Sequence, residues 1–146
     1  MKTSTFKFKS YLFQLCSEGN SVISLIRVEH EPISIHPEHL QFIKDINNYE
    51  NGLNKEFNWD IRFSNTEFQK KVFSALQSIP YGETRTYQEI AQMIQQPKAA
   101  RAVGQAISKN PVLIVIPCHR VLAKSGLGGF SSGLDLKESL LKLESK

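Results

Sequence analysis

Hydrophobic and polar side chains alternate along the first part of this chain with the period of two that a half-buried β-strand produces. Phe6 and Phe8 share one face of the predicted strand, and lysines occupy the other. The alternation shifts by one residue near Ser10, which we interpret as a β-bulge or as burial of both strand faces. A turn over residues 17–20 and a returning strand over residues 22–28 are predicted next.

From residue 64 onward the hydrophobic period becomes helical. Two pairs, Thr66 with Gln69 and Thr86 with Glu89, have the spacing of capping boxes, which satisfy backbone N–H groups left free at a helix start. Helices are predicted over about residues 38–47, 67–79, 87–94, 98–108 and 134–144. Together these elements predict an α+β fold, with a short N-terminal α/β scaffold domain at residues 1–62 and a helical C-terminal domain at residues 63–146.

Two of the predicted helices flank a tight turn at residues 95–97. This arrangement is typical of a DNA-docking helix-turn-helix and also of an ordinary helical hairpin. The second helix exposes small side chains that suit the narrow minor groove better than base reading in the major groove: Ala99, Ala100, Ala102, Gly104 and Ala106. Arg101 projects from this surface, either as a wedge that replaces an extruded base or as a solvated or phosphate-binding charge.

The amino-acid composition excludes few functional classes of protein. Eighteen Lys and Arg against 14 Asp and Glu give a net charge of +4, which leans toward a polyanionic partner. No apolar run reaches membrane-spanning length and no signal peptide is visible, so we expect a cytoplasmic protein without a membrane partner. Cys16 and Cys118 fit no metal-ligand spacing with the four histidines, and His36 and His39 are interpreted as loop surface. We therefore expect no metal.

An apolar run at residues 112–116 leads directly into Pro117, Cys118 and His119. We interpret the run as a buried strand that brings a thiol and an imidazole to the edge of the core. A thiol needs a lowered pKa to attack a substrate at neutral pH, and a nearby imidazole can provide that. By spacing alone, Cys118 could equally be a small buried hydrophobic residue.

The chain resembles the O6-alkylguanine-DNA alkyltransferases, also called methylated-DNA–protein-cysteine methyltransferases. Residues 117–121, Pro-Cys-His-Arg-Val, match the active-site signature of that family. Flanking motifs follow in order and spacing at Tyr81-Gly82-Glu83, Thr86-Tyr87, residues 97–104 and Asn110-Pro111. The resemblance runs without apparent gaps from about Thr66 to Glu144 and implies a winged helix-turn-helix-like C-terminal domain for DNA binding and alkyl transfer.

The resemblance implies a role for each catalytic position. Cys118 would attack the alkyl carbon on O6 of guanine, and His119 would act as its base through a bridging water. Glu144 would orient His119, although a glutamate so near a chain end otherwise suggests a solvated tail. Asn110 would brace the active-site loop. Tyr87 would give a hydrogen bond or a proton to the purine ring.

The resemblance also implies the surroundings of the base. Tyr87, Val121, Phe130 and Ser131 would form the pocket, with the backbone carbonyls of Cys118 and Val121 accepting from the exocyclic amine and the Ser131 N–H donating to O6. Arg101 would hold the place of the extruded nucleotide. The remaining DNA-binding positions would lie along the second helix at Lys98, Ala99, Ala100, Ala102 and Gly104.

The product of the expected reaction is a thioether at Cys118, which neither water nor a nearby base can cleave. We expect one alkyl transfer per molecule, no cofactor, and a monomer acting on double-stranded DNA that contains O6-alkylguanine. Phe130 and Ser132 stand where relatives often carry tyrosine and glycine, which leaves the preferred alkyl size open. Three alternatives remain at this stage: a damage sensor without catalysis, a winged-helix regulator with a reactive cysteine, and a cysteine hydrolase.

Overall fold

A three-stranded antiparallel sheet begins the computed structural model, which describes residues 1–62 and 65–146. The strands lie in the order β1, β2, β3 and span Lys2–Phe8, Tyr11–Glu18 and Ser21–Val28. A 3₁₀ turn at Pro37–His39 leads into helix α1, Leu40–Glu50. The buried face of α1 includes Tyr49, whose ring stacks on that of Phe8 with centroids 6.2 Å apart. The chain folds as two units, residues 1–63 and 64–146.

The shift in alternation near Ser10 is a hairpin turn, so the interpretation as a bulge within one strand was wrong. Phe8 pairs with Tyr11 across the turn, and Phe6 pairs with Phe13. Lys9 adopts a φ of 55°, a left-handed conformation that glycine or asparagine usually supplies. Because neither residue stands in this turn, the sequence lacks the usual signal of a two-residue hairpin there.

His39 is fully buried, so the interpretation of this histidine as loop surface was also wrong. Its ring lies between two buried serine hydroxyls, with Nδ1 2.5 Å from Ser4 Oγ and Nε2 2.7 Å from Ser17 Oγ. These two small polar side chains satisfy both ring nitrogens, which allows the ring to enter the core. Among the described residues, no group of three or more His, Cys, Asp or Glu side chains is arranged to hold a metal ion.

Within residues 65–146, four α-helices and one short strand pair form the second unit. The helices are α2, Glu67–Gln77; α3, Tyr87–Met93; α4, Ala100–Ile107; and α5, Leu134–Glu144. Strand β4, Arg85–Thr86, pairs in parallel with β5, Val121–Leu122. Both capping boxes are present, at Thr66 with Gln69 and at Thr86 with Glu89, as predicted. The α+β class is confirmed, whereas the winged character of this unit stays a prediction.

The apolar run at residues 112–116 is buried but is not a strand, which corrects the sequence interpretation. It coils into a tight turn in which Ile116 N donates to Val112 O over 3.0 Å and Ile114 has a φ of 71°. Hydrophobic residues predict burial, but they do not specify an extended backbone. The cysteine that follows lies in a 3₁₀ turn, Cys118–Arg120.

The predicted domain boundary between residues 62 and 63 borders on residues 63 and 64, which lie outside the described part of the chain, and it stays a prediction. Within the described ranges no helix has both the length and the apolar character needed to cross a membrane.

Candidate active site

Asn110 closes the turn that positions Cys118. Its Nδ2 donates to Ile116 O over 2.8 Å, and its Oδ1 accepts from Val112 N over 2.9 Å. Both ends of the apolar run are thereby tied to one side chain, and Cys118 N then donates to Ile116 O over 2.7 Å. The bracing role expected of Asn110 therefore has a direct geometric basis, although its effect on reactivity stays a prediction.

Cys118 is almost enclosed, with 3% of its surface exposed. Burial raises the pKa of its thiol to about 11, while a hydrogen bond from Asn110 and the charge of Lys137 act in the opposite direction. The sequence argument required a lowered pKa, and the structure differs because desolvation is the largest effect. The thiol is therefore protonated at neutral pH, and attack by its sulfur requires a group that accepts the proton.

His119 has the surroundings of a base. Its ring is fully buried, and Nε2 lies 2.7 Å from Glu144 Oε2. We assign the ring proton to Nε2, because a carboxylate there can only accept, and this leaves a lone pair on Nδ1. Within residues 1–62 and 65–146, Nδ1 of His119 is the one buried side-chain nitrogen or oxygen without a hydrogen-bond partner. Burial lowers the pKa of His119 against the opposing effect of Glu144, which favours the neutral ring with a free lone pair on Nδ1.

Glu144 is 5% exposed and is not a solvated tail. It follows Leu140 by four residues and Leu143 by one, so it lies on the buried face of α5. Its carboxylate also accepts a backbone hydrogen bond from Gly82 N over 3.3 Å. Helical spacing from Leu140 was the sequence signal that could have identified this glutamate without a resemblance.

Arg120 belongs to the site, although sequence reasoning gave it no role. Its Nε and Nη2 donate to the two carboxylate oxygens of Glu144 over 2.8 and 3.0 Å, and its Nη1 donates to Ile79 O over 2.7 Å. This bidentate pair fixes the carboxylate that holds His119. No pattern in the sequence indicated that an arginine directly after Cys118 and His119 would be buried.

A cavity of about 150 Å³ opens beside the thiol. Its lining includes six of the predicted site residues: Cys118, Tyr87, Phe130, Ser131, Asn110 and Gly104. Tyr87 Oη donates to Gly129 O over 3.4 Å, and burial raises the pKa of this phenol, which keeps it protonated and able to donate. The space is smaller than a drug-sized pocket and suits a single planar group.

Val121 does not line the cavity. It is buried in β5, where it pairs with Arg85, and its carbonyl accepts from Lys137 Nζ over 2.6 Å. Lys137 is a second buried cation that sequence reasoning missed.

Helix α4 connects the cavity with the surface. Gly104, Ile107 and Ser108 line the cavity, and Arg101 lies one turn before Gly104 and is exposed. The predicted DNA-binding positions differ in exposure: Lys98 and Ala102 are exposed, whereas Ala99, Ala100 and Gly104 are half-buried. Ala106 is buried, so its expected exposure was wrong, because it faces the core together with Val103.

Residues 67–146 match the protein family described as "6-O-methylguanine DNA methyltransferase, DNA binding domain". The match covers more than half of the chain and includes every residue of the site described above. The chain belongs to this family. The resemblance drawn from the sequence motifs is therefore confirmed.

Relatives in the O6-methylguanine methyltransferase family extend the similarity into the N-terminal unit. A methylated-DNA–protein-cysteine methyltransferase of Mycobacterium leprae is 43% identical over an alignment of 138 residues, and the alignment covers 89% of this chain and 84% of that protein. One from Methanosarcina acetivorans is 58% identical over 91 residues, 62% of this chain, and the matched region spans only 58% of the relative's length.

Solved structures of the family have the same fold. The crystal structure of Mycobacterium tuberculosis OGT in complex with DNA has a TM-score of 0.90 and 37% identity, covering 98% of this chain and 92% of that one. An O6-methylguanine DNA methyltransferase of Methanococcus jannaschii has a TM-score of 0.75 and 30% identity, covering 97% and 92%.

Proposed function

We propose that this protein repairs DNA by taking O6-alkylguanine out of the duplex and transferring the alkyl group to Cys118. One observation carries the proposal: the Cys118 thiol lines a cavity sized for one base, and the adjacent His119 is a neutral, buried imidazole whose Nε2 is held by Glu144. The displacement requires a thiolate, a neutral base that can take the proton from the thiol, and an enclosed space that holds the alkylated base.

The proposed reaction begins with proton transfer from the thiol to Nδ1 of His119 through a bridging water. The resulting thiolate attacks the alkyl carbon in line with the C–O6 bond, so that a C–S bond forms as the C–O6 bond breaks. The electron pair of the broken bond goes to the purine, which takes up a proton from water and becomes guanine, and the imidazolium of His119 returns its proton to water. Tyr87 donates a hydrogen bond to the purine as this charge develops.

Glu144 stabilises the imidazolium that forms when His119 accepts the proton. The carboxylate is already fixed by Arg120, so no rearrangement is needed as the charge appears. The product at sulfur is a thioether, which the site cannot hydrolyse. The protein is therefore consumed after a single transfer.

Duplex DNA is proposed to bind along α4 from its minor-groove side. Gly104 and Ser108 line the cavity, and Arg101 is exposed one turn before Gly104. Helix α4 can therefore border the extruded base with one end and place the side chain that replaces this base in the duplex with the other. Phosphate contacts would dominate the affinity and make it sensitive to salt. We propose that the protein acts as a monomer in the cytoplasm.

The proposal is tested by measuring the intact mass of the protein after incubation with a duplex that carries one O6-methylguanine. We expect one added methyl group per molecule, located on the Cys118 peptide and saturating at equal stoichiometry. Cys16→Ala is the matched control and keeps the full mass gain, whereas Cys118→Ala gains nothing but still binds the duplex.

Three outcomes would contradict the proposal. An unchanged mass with binding to the lesion would indicate a damage sensor. Repeated turnover of an ester substrate would indicate a hydrolase. Methylation of the Cys118→Ala variant would place the acceptor elsewhere.

A further inference from the structure

A tight turn at residues 80–83 lies at the surface between α2 and β4. Glu83 N donates to Pro80 O over 3.0 Å, and Gly82 has a φ of 83°, as the third residue of a type II turn requires. Pro80, Gly82 and Glu83 are exposed, whereas Tyr81 is half-buried. The side chain of Tyr81 therefore belongs partly to the interior, although the turn that carries it belongs to the surface.

The chain at this turn contacts the buried Arg120–Glu144 pair at three points. Ile79 O, directly before the turn, accepts from Arg120 Nη1 over 2.7 Å. Gly82 N donates to Glu144 Oε1 over 3.3 Å. The guanidinium of Arg120 lies over the ring of Tyr81, with Cζ 5.8 Å from the ring centroid. Two contacts thus supply hydrogen bonds to the ion pair, and the third places an aromatic ring against its cation.

The close approach of the turn to α5 depends on Gly82. A Cβ at this position would lie 3.2 Å from Glu144 O, closer than most side chains come to a backbone oxygen. Arg120 and Glu144 are accordingly only 6% and 5% exposed, although a surface turn is their neighbour. Water that reached the pair would screen its attraction and compete for its hydrogen bonds.

The ring of Tyr81 suits a covering role. Burial raises the pKa of its phenol, and so does the charge of Glu144, so the side chain is neutral at physiological pH. A half-buried neutral ring in contact with the guanidinium can separate the ion pair from solvent without adding a charge.

We propose that Tyr81 is a positioning residue, whose ring covers the Arg120–Glu144 pair and keeps water away from it. The carboxylate then stays on Nε2 of His119, and Nδ1 keeps its lone pair for the proton of Cys118. A carboxylate that water drew away would release the imidazole to turn and to carry its proton on either nitrogen. The role in alkyl transfer rests on the proposed function, whereas the effect on the His119 ring does not.

The tautomer of His119 tests this role in the absence of DNA. Nitrogen NMR resonances of a neutral imidazole distinguish the ring nitrogen that carries the proton from the one that does not. In the parent protein we expect the proton on Nε2, facing Glu144. In Tyr81→Ala we expect a mixture of the two tautomers, whereas Tyr81→Phe keeps the ring and should match the parent.

Single-turnover methyl transfer from a duplex with one O6-methylguanine measures the consequence for the reaction. We expect Tyr81→Ala to slow the transfer about tenfold, because a positioned base contributes about 10²–10⁴-fold and the variant loses part of this positioning. Tyr81→Phe should stay within about twofold of the parent, since the ring face over the guanidinium remains.

Val72→Ala is the control for lost packing, because it truncates a fully buried side chain of α2. It should lower the stability of the protein but leave the His119 tautomer unchanged and the transfer rate within about twofold of the parent. The same mixture of tautomers in Val72→Ala would reduce the effect to general destabilisation and overturn the proposal.

Hydrogen exchange at Arg120 Nε in the parent protein keeps the test decisive if Tyr81→Ala does not fold. This N–H donates to Glu144, and under the cover it should exchange at least about a hundredfold more slowly than the Nε–H of the exposed Arg101. Equal exchange at the two arginines would overturn the proposal.

Two further results would contradict the role of the ring: an unchanged His119 tautomer in folded Tyr81→Ala, and a Tyr81→Phe protein as impaired as Tyr81→Ala. The expected tautomers without methyl uptake by the parent protein would refute the proposed function and leave this inference standing.

Discussion

His119 and Glu144 meet across 25 residues of sequence, with Nε2 and Oε2 2.7 Å apart in a fully enclosed setting. The same carboxylate accepts two hydrogen bonds from Arg120, so Glu144 binds both the neutral imidazole of His119 and the permanently charged guanidinium of Arg120. Without Glu144, the ring would lose its orientation and the guanidinium its compensating charge. The pair therefore couples the reactivity of the site to the stability of the fold.

Glu144→Gln should destabilise the second unit by about 3–5 kcal/mol, because it leaves the buried Arg120 guanidinium without an anion. It should also slow methyl transfer, since an amide cannot stabilise an imidazolium at His119 as a carboxylate does. Urea denaturation and single-turnover transfer measure the two effects. Glu138→Gln is the control, an exposed position of the same helix that should change stability by less than about 0.5 kcal/mol. Equal unfolding free energies for the two variants would contradict the prediction.

Gly128→Ala should disrupt the cavity loop, whereas Gly126→Ala should not. Gly128 has a φ of 75°, and an added Cβ would lie 3.0 Å from Tyr87 Oη and 3.1 Å from Ala123 N. We expect a loss of about 1–3 kcal/mol and a slower transfer, because Tyr87 must move away from the site. An added Cβ at Gly126 meets nothing within 4 Å. Thermal melting and single-turnover rates compare the two, and similar behaviour of both variants would show that the loop tolerates the displacement.

Some of this fold could be predicted from the sequence because its signals are local. The capping boxes at Thr66 and Thr86 connect residues only three positions apart, and both helices begin where these pairs predict. The backbone of residues 112–116 could not be predicted in the same way. Ile114 adopts a positive φ that branched residues avoid, and the hydrogen bonds that close the turn, including the two of Asn110, together with the surrounding core, stabilise it.

The residues of the candidate site also divide into those that a local sequence signal predicts and those without such a signal. Cys118 and His119 followed from a contiguous motif, and Glu144 followed from resemblance. Arg120 and Lys137 were missed because charged residues predict exposure, and their partners lie far away in sequence. Helical spacing placed Lys137 beside Leu136 and Leu140 on the apolar face, and this was the signal that could have revealed it.

The N-terminal unit should lose stability as the pH falls below about 6.5, the ordinary pKa of histidine. Burial, with the nearby His36 and Lys2, lowers the pKa of His39 in the folded protein, whereas Glu38 raises it. Below pH 6.5 the unfolded chain takes up the proton first, so stability is full above this pH and decreases toward the folded-state pKa. His119 contributes in the same direction in the second unit, because burial lowers its pKa too.

The His39→Gln variant separates the pH dependence of stability that is due to His39 from the part that is due to His119. It should lower the melting temperature at pH 7.5, because the hydrogen bonds to Ser4 and Ser17 are altered, and it should flatten the further decrease between pH 7 and pH 5. His30→Asn is the control: this histidine is exposed at a φ of 59°, a conformation that asparagine tolerates. A His39→Gln protein with the full acid-dependent decrease would assign the effect to other groups.

Arg101→Ala should slow repair of duplex DNA by about tenfold or more and leave the reaction with free O6-methylguanine unchanged. Extrusion of a base costs a few kcal/mol of stacking and pairing, and a guanidinium in the vacated place offsets part of that cost only when a duplex is present. The free base needs no extrusion and reaches the cavity directly. Lys71→Ala, an exposed change on α2, is the control for general loss of positive charge and should affect duplex repair by less than about twofold. The test compares the second-order rate constants of the variant and the parent protein for the duplex and for the free base, all measured at one salt concentration. Equal losses on the duplex and on the free base would mean that Arg101 acts on the cavity rather than on the DNA.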